Sequence, residues 1–265
     1  MARKLSNTLA KVTEELELNG SSLITSEQLK EICKNKEINY PIENLVYKLK
    51  KEGWFMTTGV TGVWEYVPAA VAGSYSSNDP LLPLKAFKLR YPEIEFYLCL
   101  QTAAWAQGYS DRIPSTLQIC AEKTVRKNLP KNIKFYKYTP HNNTIIVKGS
   151  IKCLTPESII IQISSKPSII NSWTSSIDWI EELAYEIESD KILSELSTQN
   201  KSTWARCGYF LSGLRPDISK KIYEKKKPVS KVRFGPRQAS IRNNEKWKIA
   251  DTILPYNPKD LNKAK

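Results

Sequence analysis

Only one histidine, His141, occurs in 265 residues, and that scarcity removes several chemistries at once. A His/Cys zinc site would need distant ligands to converge on it. The five cysteines, Cys33, Cys99, Cys120, Cys153 and Cys207, are dispersed, odd in number and without a C-x-x-C pair. Neither a disulfide framework nor a redox motif is expected, and each cysteine is read as a small buried residue. No apolar run approaches the ~18 residues that span a bilayer; the longest are short, such as residues 96–100. The start does not resemble a signal peptide, because Arg3 and Lys4 lead into an amphipathic stretch that carries Glu14, Glu15 and Glu17. A cytoplasmic protein without membrane contact is the expectation.

Signatures of enzymes are missing as well. The chain has no P-loop, no G-x-G-x-x-G, no G-x-S-x-G elbow and no H-E-x-x-H. His141 falls in Pro140-His141-Asn142-Asn143, which reads as a surface loop. Asp111 and Arg112 read as local caps or a local pair, and Asp178, Glu181 and Glu182 as neighbours on one helix. No catalytic residue, metal or cofactor is assigned, and the chain is read as a non-enzyme.

What the sequence does have is positive charge, net +13. Its distribution is uneven. Residues 1–68 carry 9 basic and 9 acidic side chains, whereas residues 69–150 are net +6, residues 151–220 net −2 and residues 221–265 net +9. Such an excess suits a polyanionic partner. The alternative is that lysine serves here as a solubilising surface residue.

Periodicity divides the first part into three helices and a hairpin. Leu5, Leu9, Val12 and Leu16 lie on one helical face, and Asn19-Gly20 ends it. Thr25-Ser26-Glu27-Gln28 is a capping box ahead of Leu29, Ile32 and Cys33. Pro41 suits the start of a third helix, forces Tyr40 to be extended, and precedes the stripe Ile42, Leu45, Val46 and Leu49. Residues 54–57 and 63–67 are aromatic and β-branched, joined by the turn-forming residues 58–62. Three helices followed by a hairpin is the order of a winged helix-turn-helix. A protein-interaction module with the same order is the alternative.

Residues 69–83 read as a linker, which gives three parts: a reader over 1–68, the linker, and a larger domain over 84–265. That second domain reads as mixed α/β with a helical C-terminal half. The fold class is a two-domain α+β or α/β protein. Expected within the second domain are helices over 84–89 and 96–106, the latter closed by Gly108, and strands over 117–121 and 133–138. A hairpin over 144–147 and 151–154 turns at Lys148-Gly149-Ser150. Thr155-Pro156-Glu157 starts a helix despite the β-branched run Ile159-Ile160-Ile161. Residues 168–226 are mostly helical: Ile177, Ile180, Leu183, Ala184 and Ile187 share a face, Ile192, Leu193 and Leu196 continue it, and Trp204, Gly208 and Leu211 mark another helix. Residues 231–234 read as a strand.

Two surfaces stand out. On the third helix the apolar stripe leaves Glu43, Asn44, Tyr47, Lys48, Lys50 and Lys51 outward. Asn can bridge adenine N6 and N7, Lys can reach guanine O6 or a phosphate, and Tyr40 and Tyr47 can bond phosphate. Tyr40, Asn44, Tyr47, Lys48 and Lys51, with Thr58 at the hairpin turn, are therefore the candidate DNA contacts. The second surface is the C-terminal basic run of Lys225, Lys226, Lys227, Lys231, Arg233, Arg237 and Arg242, a candidate face for a polyanion or an acidic protein. Phe234 and Trp247 within it, like Trp173, Trp179 and Trp204, are read as core.

Several stretches together resemble one family across nearly the whole chain. They are Trp64-Glu65-Tyr66-Val67-Pro68, Gly73, Asp79-Pro80-Leu81, Thr102-Ala103-Ala104-Trp105 and Gly108-Tyr109-Ser110-Asp111-Arg112-Ile113-Pro114. After these come Thr155-Pro156-Glu157, Trp204-Ala205-Arg206-Cys207-Gly208-Tyr209, Phe234-Gly235-Pro236-Arg237 and the stretch from Trp247 to Pro255. In this order they resemble the AbiEi antitoxins of type IV toxin–antitoxin (abortive infection) systems. The resemblance implies a winged-helix domain that binds an inverted repeat in its own promoter and represses the operon. It also implies a C-terminal domain that opposes a nucleotidyltransferase toxin, with or without direct contact. One departure concerns the wing: wings of this family often carry Arg or Lys, and residues 58–62 have neither. A protein-binding adaptor or a regulator without an antitoxin role is the alternative, and the neutral charge of residues 1–68 favours it.

Overall fold

The computed structural model describes residues 5–70, 77–125, 127–141, 144–147 and 151–263. Gly73, the middle of the expected linker, the turn Lys148-Gly149-Ser150, Asn142-Asn143 and Arg3-Lys4 lie outside the described residues. The chain forms two compact units, Met1–Glu95 with Arg126–Asn132, and Phe96–Val125 with Ile133–Lys265. Among the described residues there are ten α-helices and three sheets.

The first unit opens with α1, Asn7–Asn19, whose N-terminus is capped by Ser6 Oγ accepting from the Leu9 amide at 3.4 Å. Gly20, at φ 60, closes it in the left-handed region where a Cβ is disfavoured. Leu9, Val12 and Leu16 are buried, but Leu5 precedes the helix and is 53% exposed, so the expected stripe is one residue shorter. A short strand not anticipated from the sequence, β1 (Leu23–Thr25), comes next, and its last residue also caps α2, Ser26–Asn35. Both arms of the capping box form: Thr25 Oγ1 accepts from the Gln28 amide at 3.2 Å, and Gln28 Oε1 accepts from the Thr25 amide at 2.9 Å.

Helix α3, Ile42–Lys51, follows Pro41 and buries Leu45 and Leu49, with Ile42 and Val46 half-buried beside them. Strands β2 (Phe55–Thr57) and β3 (Val63–Tyr66) form the expected hairpin. β1 adds to its free side, giving an antiparallel sheet in the order β1-β3-β2. Leu29, Leu45, Leu49, Trp54, Phe55 and Tyr66 share one core, each large side chain contributing roughly 1.5–3 kcal/mol by leaving water.

Helix α4, Leu82–Arg90, belongs to this unit too, packing on β1 and β3. Arg90 pairs with Glu27 on α2 at 2.7 Å. By contacts, the first unit therefore runs to Glu95.

The second unit holds a mixed five-stranded sheet of β4 (Tyr97–Leu98), β5 (Leu117–Ala121), β6 (Ile133–Lys137), β7 (Ile145–Val147) and β8 (Ile151–Cys153), in the order β6-β5-β4-β8-β7. The stretch expected as one helix over 96–106 divides. Tyr97 and Leu98 pair with Cys120 and Ile119, Leu100 turns the chain at φ 49, and only α5, Leu100–Gln107, is helical, closed by Gly108 at φ 91.

Helix α6, Pro156–Ser165, confirms the Thr155 cap, whose Oγ1 accepts from the Ser158 amide at 3.3 Å. Residues 156–164 are all buried, so packing around the helix outweighs the β preference of Ile159, Ile160 and Ile161. A 3-10 turn (Pro167–Ile169), α7 (Ile177–Tyr185), α8 (Ser189–Ser197), α9 (Lys201–Leu214) and α10 (Pro216–Lys225) follow. The apolar face running from Ile177 to Leu196 is broken between α7 and α8. There Arg215 Nη1 donates to the carbonyls of Ala184, Tyr185 and Ile187.

The chain ends in a small sheet, β10-β11-β9, built from β9 (Val232–Phe234), β10 (Arg242–Asn244) and β11 (Ile249–Asp251), and a 3-10 turn, Pro258–Lys263. Phe234, Trp247, Trp173, Trp179 and Trp204 are core residues, and all five cysteines are buried free thiols.

Candidate nucleic-acid interface

The geometry of α3 is set by its stripe. With Leu45 and Leu49 inward, Glu43, Asn44, Tyr47, Lys48, Lys50 and Lys51 are exposed, Tyr47 at 67%. Tyr40 is half-buried just ahead of the helix, and Lys48 Nζ sits 4.7 Å from the centroid of its ring. That cation–π contact fixes Tyr40 and Lys48 as a pair on the exposed side. Among the described residues Lys48, Lys50 and Lys51 make no ion pair and the Asn44 amide makes no hydrogen bond. Asn44, Lys48 and Lys51, at i, i+4 and i+7, thus share one exposed helix face with Tyr47.

Thr58 does not join that face. It is 4% exposed; its Oγ1 donates to the Val63 carbonyl at 2.9 Å and accepts from the Val60 amide at 3.2 Å. The hydroxyl is used to close the β2–β3 turn, which Gly59 and Gly62 allow at φ 81 and 78. Sequence position at a hairpin tip suggested exposure; the inward hydroxyl is a turn-forming feature instead.

In the second unit the basic run separates into three kinds of residue. Lys225 and Lys227 are exposed on and after α10, and Lys226 lies over the Trp204 ring at 4.9 Å. Lys231, Arg233 and Arg237 are exposed along β9 and the loop after it, where they line an open groove. Arg242 is different. Its guanidinium binds the buried Asp251 carboxylate at 2.9 Å and donates to the Leu254 and Tyr256 carbonyls. Arg242 is therefore committed to holding the β10–β11 sheet and is withdrawn from the polyanion face.

The groove also holds a cation that the linear run did not suggest. Arg206 comes from α9, and its Nε–H donates to the Arg233 carbonyl at 2.7 Å. Nothing in a sequence window links positions 206 and 233; only the packing of β9 on α9 does.

The other residues considered for chemistry are structural or scattered. The backbone amide of His141, together with the Tyr138 hydroxyl at 2.6 Å, binds the buried Glu195 carboxylate, and burial followed by that carboxylate pushes the Tyr138 hydroxyl well above its ordinary range. Asp111 and Arg112 do not pair with each other; they line an open depression with Asp178, Glu181 and Glu182 of α7. Among the described residues no cluster of His, Cys, Asp or Glu could hold a metal ion, and no helix is long and apolar enough to cross a membrane.

A family model for the AbiEi antitoxin C-terminal domain matches residues 97–213. The chain carries an AbiEi antitoxin domain. The match begins where the second unit begins and ends within α9, so the antitoxin domain comprises the five-stranded sheet and α5 to α9. Such a domain suggests a toxin–antitoxin role. No curated protein matches in sequence. Among solved structures, the RV2827C protein from Mycobacterium tuberculosis is similar with a TM-score of 0.76, covering 94% of this chain and 92% of that one at 20% identity. At that identity the likeness shows the fold. It extends beyond the antitoxin domain to the N-terminal helices and to the C-terminal sheet that holds the groove.

Proposed function

We propose that the chain is a cytoplasmic antitoxin whose first unit is a winged helix that represses its own operon, and whose antitoxin domain opposes a nucleotidyltransferase toxin. The observation that carries the DNA part is the α3 face. Asn44, Tyr47, Lys48 and Lys51 stand exposed on one side of a helix that follows a capped α2 and is backed by an antiparallel hairpin sheet, and among the described residues its lysines make no ion pair. In this reading α3 enters the major groove, Asn44 contacts a base edge, and Tyr40, Tyr47, Lys48 and Lys51 contact phosphates. With two copies on an inverted repeat, half-sites fall about 10 bp apart or a multiple of it. The β2–β3 turn brings no cation, so the helix supplies most of the contact. The AbiEi domain carries the antitoxin part, and the nucleotidyltransferase partner rests on the family resemblance alone.

Co-expression with the toxin, beside a reporter driven by the upstream region, tests both parts in one cell. Wild-type protein should restore growth and silence the reporter. An Asn44→Ala/Lys48→Ala double variant should restore growth and leave the reporter active. Repression unchanged in that variant would remove α3 as the reader.

One observation favours a second reading, an adaptor that docks a protein on α3: residues 1–68 have no net charge. In that case upstream and scrambled DNA bind alike.

A further inference from the structure

The groove between α9 and the C-terminal sheet has a volume of about 670 Å3 and an unusual electrostatic makeup. Arg206, Lys231, Arg233 and Arg237 line it, together with the hydroxyl residues Ser202, Ser230 and Ser240, and no Asp or Glu does. Among the described residues none of the four cations forms an ion pair. Arg206 is the most telling. Its Nε donates to the Arg233 carbonyl at 2.7 Å and its Nη1 to the Ser165 carbonyl, at the end of α6, at 2.8 Å. Burial lowers its pKa from the ordinary arginine value, and no carboxylate offsets that cost. A half-buried guanidinium held in place by two backbone carbonyls, with its Nη2 given no protein partner among the described residues, is a preformed half of an anion site.

The opposite wall is built as well. Gly235 adopts φ 120, and a Cβ there would lie 2.4 Å from Thr252 Oγ1. That hydroxyl in turn binds the Phe234 and Pro236 carbonyls at 3.2 and 3.0 Å. The loop that presents Arg237 is thereby tied to the end of β11.

We infer that this groove is a binding site for a compact oligophosphate, the triphosphate of a nucleotide or of an RNA 5′ end. Guanidinium forks match phosphate oxygens in pairs, and hydroxyls add neutral donors. Four cations converge on one concavity instead of running along a line, which focuses the field on clustered negative charge. The apolar lining is limited to Val232 and Ala250, with no aromatic ring, so the groove offers no platform for stacked bases and no pocket for peptide side chains. The site recognises the phosphates and leaves the nucleoside outside. It goes beyond promoter reading, because no α3 residue lines it.

Calorimetric titration of the full chain with inorganic triphosphate, in the presence of a chelator, tests the inference. One triphosphate should bind per chain. Arg237→Gln should weaken binding roughly tenfold or more, as expected for losing one charge-assisted hydrogen bond. Arg206→Lys should weaken it too, because Nε and Nη1 bind the two carbonyls while Nη2 is left for the ligand, and lysine has a single nitrogen in place of that planar fork. Should Arg206→Lys fail to fold, Arg237→Gln still decides, since that side chain is exposed and bound to no described residue. ATP displacing inorganic triphosphate identifies a free nucleotide as the source. A 5′-triphosphate RNA binding better than the same RNA with a 5′-hydroxyl identifies the RNA end. No binding of inorganic triphosphate at millimolar concentration, or equal binding by wild type and Arg237→Gln, would overturn the inference. Binding of duplex DNA that is lost in Arg237→Gln, without any binding of triphosphate, would overturn it as well and assign the groove to a phosphodiester backbone.

Discussion

The two units hold their cations in different ways. In the first, Lys48, Lys50 and Lys51 stand on α3 without ion pairs among the described residues, in a segment whose overall charge is zero. In the second, where the excess charge lies, Arg242 and Arg215 are consumed by the fold, one by buried Asp251 and the other by the end of α7, while Arg233 and Arg237 remain open. A count of basic residues ranks the second unit first as a polyanion binder. Partnership gives a finer answer, because a cation already bound to a buried carboxylate has little left for a ligand.

The sharpest way to break this contrast is Arg242→Ala. The Asp251 side chain is 1% exposed, and losing its ion pair should cost about 3 kcal/mol. The Tyr209 hydroxyl and the Ile253 and Leu254 amides would still bind the carboxylate, which keeps the loss at the low end of the range for a broken buried pair. Urea unfolding should show that loss, and DNA affinity should be unchanged while the protein is folded. A stable Arg242→Ala protein with weakened DNA binding would reverse the assignment.

Next in size is Asn44→Ala, which should leave stability nearly untouched and cost about 1–3 kcal/mol of specific DNA affinity, relaxing preference at one base pair. Titration against a set of single-site operator variants measures it.

A smaller effect separates the units by pH. Burial pushes the Cys153 and Cys207 thiols up to about 12 from an ordinary 9.0. Both lie in the second unit, whereas the first has only Cys33, shifted in the same direction by burial. Below the unfolded value, folded and unfolded chains both keep these protons. Above it the unfolded chain ionises and the folded one does not, so stability falls as pH rises. Each of the two thiols should remove roughly 1 kcal/mol by pH 10. Urea unfolding at pH 8 and pH 10 checks this, and a stability that rose over that interval would contradict it.

The smallest expected change is in salt dependence. Lys48→Ala should flatten the slope of log K against log salt by roughly 0.9, the share of one phosphate contact. Lys226→Ala, which removes a cation stacked on Trp204, should leave that slope alone if only the α3 face touches DNA.

Much of this was legible in the sequence where the signal is local. The Thr25–Gln28 box, the Gly20 and Gly108 caps and the α3 stripe each lie within a few residues, and the structure forms all of them. The Thr155 cap also prevailed over three isoleucines, since burial on every side of α6 makes branched side chains useful there. What was not legible depends on distant pairing. β1 is three residues long and exists because β3 has a free edge. Residues 96–106 divide because β4 finds β5 and β8. Thr58, Arg242 and Arg206 all sit in suggestive local company. Their roles are fixed by Val63, Asp251 and Arg233, partners no window of sequence identifies.

The central claim, that the α3 face reads DNA, is tested most directly by titrating the full chain against duplexes carrying its own upstream sequence or a scrambled version of it. Wild-type protein should bind the upstream duplex more tightly, and the Asn44→Ala/Lys48→Ala double variant should bind both duplexes weakly and alike. Equal affinity of the wild type for the two duplexes, or a double variant that still prefers the upstream one, would contradict the account.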